Sequence, residues 1–157
     1  MTRAYPMRLR WLRAFVPLAW LLIVVQHIGC ADSGPPKPPE VMYGHDKCAA
    51  CGMIVSEDRH AGALVSPGIE PLVFDDCGEL ARHVAQNRQQ REATAFVHDY
   101  QTRRWLEASA AYFVIDPKLS TPMGTGTVAF GLRSDAEEFA QPRNVPVLRW
   151  EEVVNAH

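Results

Sequence analysis

Four prolines within five positions, Pro35, Pro36, Pro38 and Pro39, divide this chain into two parts that cannot share one structural element. Each proline fixes its own φ and lacks an N–H, so the stretch from Ala31 to Glu40 can enter neither a helix interior nor a central strand. Such a stretch is extended and stiff, which predicts a tether over residues 30–42; the alternative is a leader with no spacing role. Everything from Tyr43 onward must then build its own core. A hydrophobic share of 47% makes that possible.

The part before the prolines has a different character. Residues 1–29 carry Arg3, Arg8, Arg10 and Arg13 and no acid, followed by an apolar run from Phe15 to Val25. Positive charge, a short apolar run and a small residue form the pattern of a secretory signal. The run falls short of the roughly 18–20 apolar residues that a membrane span needs. His27-Ile28-Gly29-Cys30 ends it, and a small residue before Cys resembles the lipobox of bacterial lipoproteins. In that pattern Cys30 is lipidated and becomes the new N-terminus, although His27 stands where Leu is usual. Acyl chains on Cys30 would anchor the protein by burying hydrocarbon, about 0.8 kcal/mol per CH₂. An ordinary signal peptide or an uncleaved anchor is the alternative. The expectation is an exported, membrane-anchored lipoprotein facing the periplasm.

The whole chain has a net charge of −2, and without the four leader arginines the remainder carries −6. An acidic body with no basic cluster argues against a nucleic-acid partner.

Hydrophobic periodicity predicts an α+β body of two small, pseudo-repeated strand-strand-helix-strand halves, 43–101 and 102–157. In the first, Ala61–Val65 and Leu72–Phe74 read as strands around the turn Ser66-Pro67-Gly68. Gly78–Asn87 has helical spacing in Leu80, Ala81 and Val84, and Ala95–Tyr100 reads as the third strand. In the second, strands are expected at Ala110–Ile115, Thr127–Phe130 and Val145–Trp150. Ser134 with Glu137 three residues on predicts a capped helix start. Halves this small are marginal alone, so they are expected to share apolar surface.

The chemistry is concentrated in His45-Asp46-Lys47-Cys48-Ala49-Ala50-Cys51-Gly52-Met53. In an extended chain, Cys51 and Met53 would project from one face, with Gly52 leaving the backbone free to bend. A thiolate and a thioether are soft donors that favour Cu(I), whereas zinc sites use Cys and His and rarely a thioether. The bland alternative is that Met53 fills the core beside Ile54 and Val55. Met123 lies in a turn-rich loop, Ser120–Gly126, as a further thioether or as a packing plug between the halves. His45 is a further donor or a solvated surface residue.

Three other functions fit parts of the pattern. Cys48 and Cys51 form a CxxC that an exported oxidoreductase could use, but a redox CxxC normally opens a helix and Gly-Met-Ile-Val favours a strand. Cys48, Cys51, Cys77 and a histidine could hold structural zinc, which leaves Met53 and Met123 unexplained. A hydrolase lacks its motifs: there is no nucleophile elbow and no metalloprotease helix, and Asp75-Asp76 read as caps of the helix that they precede.

Cys51-Gly52-Met53, Phe74-Asp75-Asp76 at a helix start, and Pro122-Met123-Gly124 before Val128-Ala129-Phe130, in this order, resemble the NosL family over roughly Tyr43 to Trp150. The resemblance implies two related small domains, similar to part of the alkylmercury lyase fold. It also implies a Cu(I) site with Cys51, Met53 and Met123 as ligands; Cys48 and His45 are further candidates by their closeness in sequence alone. Cys77 is then incidental. The implied function is delivery of copper for the metal clusters of nitrous oxide reductase through a NosDFY-type ABC transporter complex, as a carrier and not an enzyme.

Overall fold

In a computed structural model the described residues are 34–87 and 93–157. The leader, the lipidation position Cys30 and the start of the tether lie outside them. Residues 35–42 are in neither a helix nor a strand. Among the described residues, no helix is long and apolar enough to cross a membrane.

The body is built on two antiparallel sheets. The first contains β1 (Gly62–Val65), β2 (Leu72–Phe74), β3 (Thr94–His98) and β4 (Trp105–Glu107) in the order β2-β1-β3-β4. Ala63 lies opposite Val73 on one side and Phe96 on the other. Helix α1 (Cys77–Gln86) follows β2 and covers this sheet through the fully buried Leu80 and Ala81. It packs so closely that a Cβ on Gly62 would meet Leu80 Cδ2 at 2.8 Å. Thus the first half follows its predicted order, and Asp76 is the helix N-cap, accepting from the Gly78 N–H at 2.8 Å.

The second sheet has the order β6-β5-β7, with β5 (Tyr112–Ile115), β6 (Thr127–Phe130) and β7 (Val147–Leu148). Strand alternation gives it two apolar faces. Phe113 and Ala129 turn into the core shared with the first sheet, while Val114, Val128 and Phe130 turn to helix α2 (Arg133–Ala140). The two halves therefore do share apolar surface, with β5 and β6 as the common wall. The Asp99–Ala129 bridge and the Tyr100 N–H to Ala129 carbonyl bond (2.8 Å) stitch the sheets together. The Asp99 carboxylate locks this seam by accepting from Gly131 N–H (2.7 Å), Thr102 N–H (2.6 Å), Thr102 hydroxyl (2.9 Å) and Gln101 N–H (3.0 Å).

The second half departs from its prediction at three points. The stretch before β5 holds an additional strand, β4, which pairs with β3 in the first sheet. A 3₁₀ turn at Ala108–Ala110 then moves the chain to the second sheet. The Arg149 guanidinium fixes this corner by donating to the carbonyls of Ser109 (2.8 Å), Ala111 (2.8 Å) and Ala110 (3.3 Å).

Second, the expected Ser134 cap does not form. The extended flanking residue is Leu132, without a side-chain cap, and Ser134 is already inside the first turn, bonded to Asp135. Glu137 pairs back to Arg133 at 2.7 Å. A hydroxyl caps only from the flanking, non-helical position.

Third, the last strand is only Val147–Leu148, and Trp150–Ala156 forms a helix, α3. Glu152 accepts from the Arg149 N–H at 2.7 Å to close its first turn. Trp150 stacks near Phe113, with ring centroids 5.5 Å apart, and Val153 is fully buried. Apolar residues at 150, 153 and 154 therefore follow helical spacing and not the alternation of a strand.

Candidate metal site

The segment from Tyr43 to Ser56 forms a narrow two-limbed arm. Gly44 N–H donates to Val55 O (2.8 Å), Val55 N–H to Asp46 O (2.8 Å) and Cys48 N–H to Met53 O (2.7 Å), with Lys47 bridged to Ile54. At the tip, Gly52 N–H closes back on Cys48 O at 2.8 Å. Gly52 has φ +74°, a left-handed conformation that a side chain would disfavour. The tripeptide Cys51-Gly52-Met53 is thus bent at its centre. The expectation that an extended chain sets both side chains on one face does not hold; a turn places both at the arm's end instead.

Cys51 is exposed and Met53 is 51% exposed, so Met53 is no core filler. Cys48, at 2%, is buried against the first core beneath them. The thiols of Cys48, Cys51 and Cys77 are all free. The Met53 N–H favours the Cys51 thiolate. Partial shielding from water, the neighbouring Cys48 thiol and the Asp75 charge outweigh it and hold the thiol above its ordinary value. A redox CxxC has its thiol lowered by a helix N-terminus; here the pair sits on a turn and the shift is upward. His45 is exposed on the turn at the arm's far end.

The base of the arm is fixed to β3. His98 Nδ1–H donates to the Arg103 carbonyl at 2.8 Å, which leaves Nε2 to accept the Tyr43 hydroxyl at 2.8 Å. Burial first, then the Asp58 charge, push the Tyr43 hydroxyl up to about 12, so it remains a donor.

Met123 is half-buried in the loop between β5 and β6. The Asp76 carboxylate, fully buried, organises that loop. It accepts the Thr121 hydroxyl (2.6 Å) and Met123 N–H (3.2 Å) on Oδ2, and the Thr125 hydroxyl (2.5 Å) beside Gly78 N–H on Oδ1. Its neighbour Asp75 accepts Ser56 N–H (3.0 Å) and the Ser56 hydroxyl (3.4 Å) at the end of the arm. Adjacent residues at one helix start therefore bind the two sulfur-bearing loops. Sequence reading assigned Asp75-Asp76 to capping alone; Thr121 and Thr125 flanking Pro-Met-Gly were the signal for the second role.

Cys77 does not join this site. Its thiol is buried, donates to Thr127 O at 3.1 Å, and is pushed well up, first by burial and then by the Asp76 charge. Among the described residues, no three His, Cys, Asp or Glu side chains gather as a metal site, so the zinc set of Cys48, Cys51, Cys77 and a histidine does not assemble. A groove of about 620 Å³ lined by Leu64, Val84, Ala95, Trp150 and Val154 offers no thiol, thioether or imidazole.

The chain is 26% identical over 129 residues to the copper-binding lipoprotein NosL of Stutzerimonas stutzeri, covering 75% of this chain and 67% of that one. Its fold is similar to the crystal structure of the copper chaperone NosL from Shewanella denitrificans, with a TM-score of 0.68 and 20% identity, covering 78% of this chain and all of that one. The NosL family model matches residues 39–157, and the chain belongs to the NosL family.

Proposed function

We propose that this chain is a copper carrier that binds one Cu(I) through the Cys51 thiolate and one or two thioethers, those of Met53 and Met123, and gives it up without turnover. The observation that carries the reading is the exposed Cys51–Met53 pair at the tip of an anchored arm. Exposed thioether surface has no packing value, and a thiolate with thioethers is a donor set suited to Cu(I) and poor for zinc. Family membership and the names of its relatives support copper as the cargo. Cys48 and His45 are accessory at most: one is buried below the tip and the other stands on a separate turn.

A site of two or three sulfurs on an exposed turn leaves a face open. A partner's soft donors can then bind the ion before these release it, so copper need never be free. The partner is a NosDFY-type transporter complex and, through it, nitrous oxide reductase, whose metal clusters receive the copper. Lipid on Cys30 would hold the protein at the membrane, facing the periplasm.

Anaerobic competition against a chromogenic Cu(I) chelator tests the site. Met53→Leu keeps the volume and removes the donor, and should lower Cu(I) affinity at least tenfold. An unchanged affinity would make Met53 a bystander. Complementation of a deletion strain tests the delivery. Cys51→Ser should leave nitrous oxide reductase without its full copper complement, and full activity with that variant would reject the role.

A further inference from the structure

We infer that Asp75 and Asp76 are positioning residues for copper: two adjacent carboxylates that fix the spacing between the Cys51–Met53 arm and the Met123 loop. The inference rests on the copper reading above and adds to it the device that preorganises the ligands.

The Asp76 carboxylate is not placed to be a ligand itself. Asp76 is 0% exposed, and each of its oxygens already accepts two hydrogen bonds, Gly78 N–H and Thr125 hydroxyl on one, Thr121 hydroxyl and Met123 N–H on the other. Asp75, also buried, holds Ser56, three residues after Met53. Consecutive Cα atoms lie about 3.8 Å apart, so the anchor points of the two loops are separated by one peptide unit.

The junction between them is held from both sides. Phe74 before it is fully buried, and after it the Cys77 thiol is bonded to Thr127 O. The Met123 loop and the start of β6 lie so close to the helix start that a Cβ on Gly78 would stand 2.3 Å from Thr125 Oγ1 and 2.8 Å from Thr127 Oγ1. Such a clamp removes the loop freedom that a soft ion would otherwise have to restrain on binding. Carboxylate acceptors make the clamp bonds stronger than neutral ones.

Asp76→Asn replaces one acceptor oxygen with an amide donor facing existing donors, which releases the Met123 loop. The test is a cycle of Cu(I) competition titrations on the full chain: wild type, Asp76→Asn, Met123→Leu and the double variant. Asp76→Asn should weaken Cu(I) binding about tenfold, and in the Met123→Leu background the same change should have little further effect. Methyl-¹³C methionine spectra supply a second readout. On Cu(I) addition the Met123 methyl signal should shift in wild type and stay in place in Asp76→Asn, while the Met53 signal shifts in both.

If Asp76→Asn does not fold, Thr121→Val deletes one clamp bond at nearly constant shape and should show the same pattern more weakly. Wild-type affinity in the aspartate or threonine variant, or losses that simply add in the double variant, would overturn the positioning role alone. A wild-type chain that takes up no Cu(I) would overturn the copper reading and this inference with it.

Discussion

Replacing Gly78 with Ala puts the packing account at risk most sharply, because two known effects oppose each other there. Gly78 lies in the first turn of α1, and an exposed helical Gly→Ala change normally stabilises by about 1 kcal/mol. Here the new methyl would lie 2.3 Å from Thr125 Oγ1 and 2.5 Å from Thr125 Cβ. Both atoms belong to the loop that Asp76 clamps, so relief requires moving the loop or the helix start by about 1 Å, and overpacking of this kind costs about 1–3 kcal/mol. The strain also pulls on the Thr125 and Gly78 bonds to Asp76, whose charge-assisted bonds are each worth about 1.5–3 kcal/mol when intact. Partial loss of one bond added to the overpacking outweighs the helix gain, for a net loss of about 2 kcal/mol. In a body of this size that corresponds to a fall in Tm of about 6–10 °C. Urea denaturation followed by circular dichroism measures it. A variant as stable as wild type, or more stable, would refute the tight loop–helix contact.

Other perturbations separate the remaining parts of the account. Burial pushes the Asp99 carboxylate up, but bonds from Thr102, Gly131 and Gln101 outweigh it and hold it below its ordinary value. Its contribution is therefore present above the unfolded value near pH 4 and lost as pH falls through the lower folded value, and Asp99→Asn should flatten the acid limb of a stability–pH curve. Phe113→Ala empties a fully buried site against Trp150 and should cost about 3–5 kcal/mol, read as a lower urea midpoint. Arg149→Ala frees the carbonyls of Ser109, Ala110 and Ala111, mostly to solvent, and should cost about 1–2 kcal/mol, with faster amide exchange at the 108–111 corner as the specific sign.

How far the sequence was legible depended on whether a signal was local. The first half followed from turn residues, strand runs and Asp76 before a helical pattern, each readable within a few positions. β4 escaped because three residues carry too little periodicity, and because its pairing with β3 is decided by contacts across the chain. Val145–Trp150 reads as one apolar run, yet it splits after Leu148, where Arg149 turns to the 108–111 corner and Glu152 closes a helix start. Ser134 matched the local pattern of a cap and lost to the placement of the helix two residues earlier.

The same division holds at the candidate site. Cys51 and Met53 were legible from donor chemistry and adjacency. Their presentation by a left-handed Gly52 was not, since the glycine permitted a bend without requiring one. The link from Met123 to Asp76 joins residues 47 apart in sequence, a separation that no local pattern reveals.

X-ray absorption at the copper edge on anaerobically loaded protein addresses the donor set directly. The account predicts monovalent copper with two or three sulfur neighbours, one fewer in Met53→Leu. A first shell dominated by nitrogen or oxygen, or a sulfur count indifferent to Met53, would contradict it.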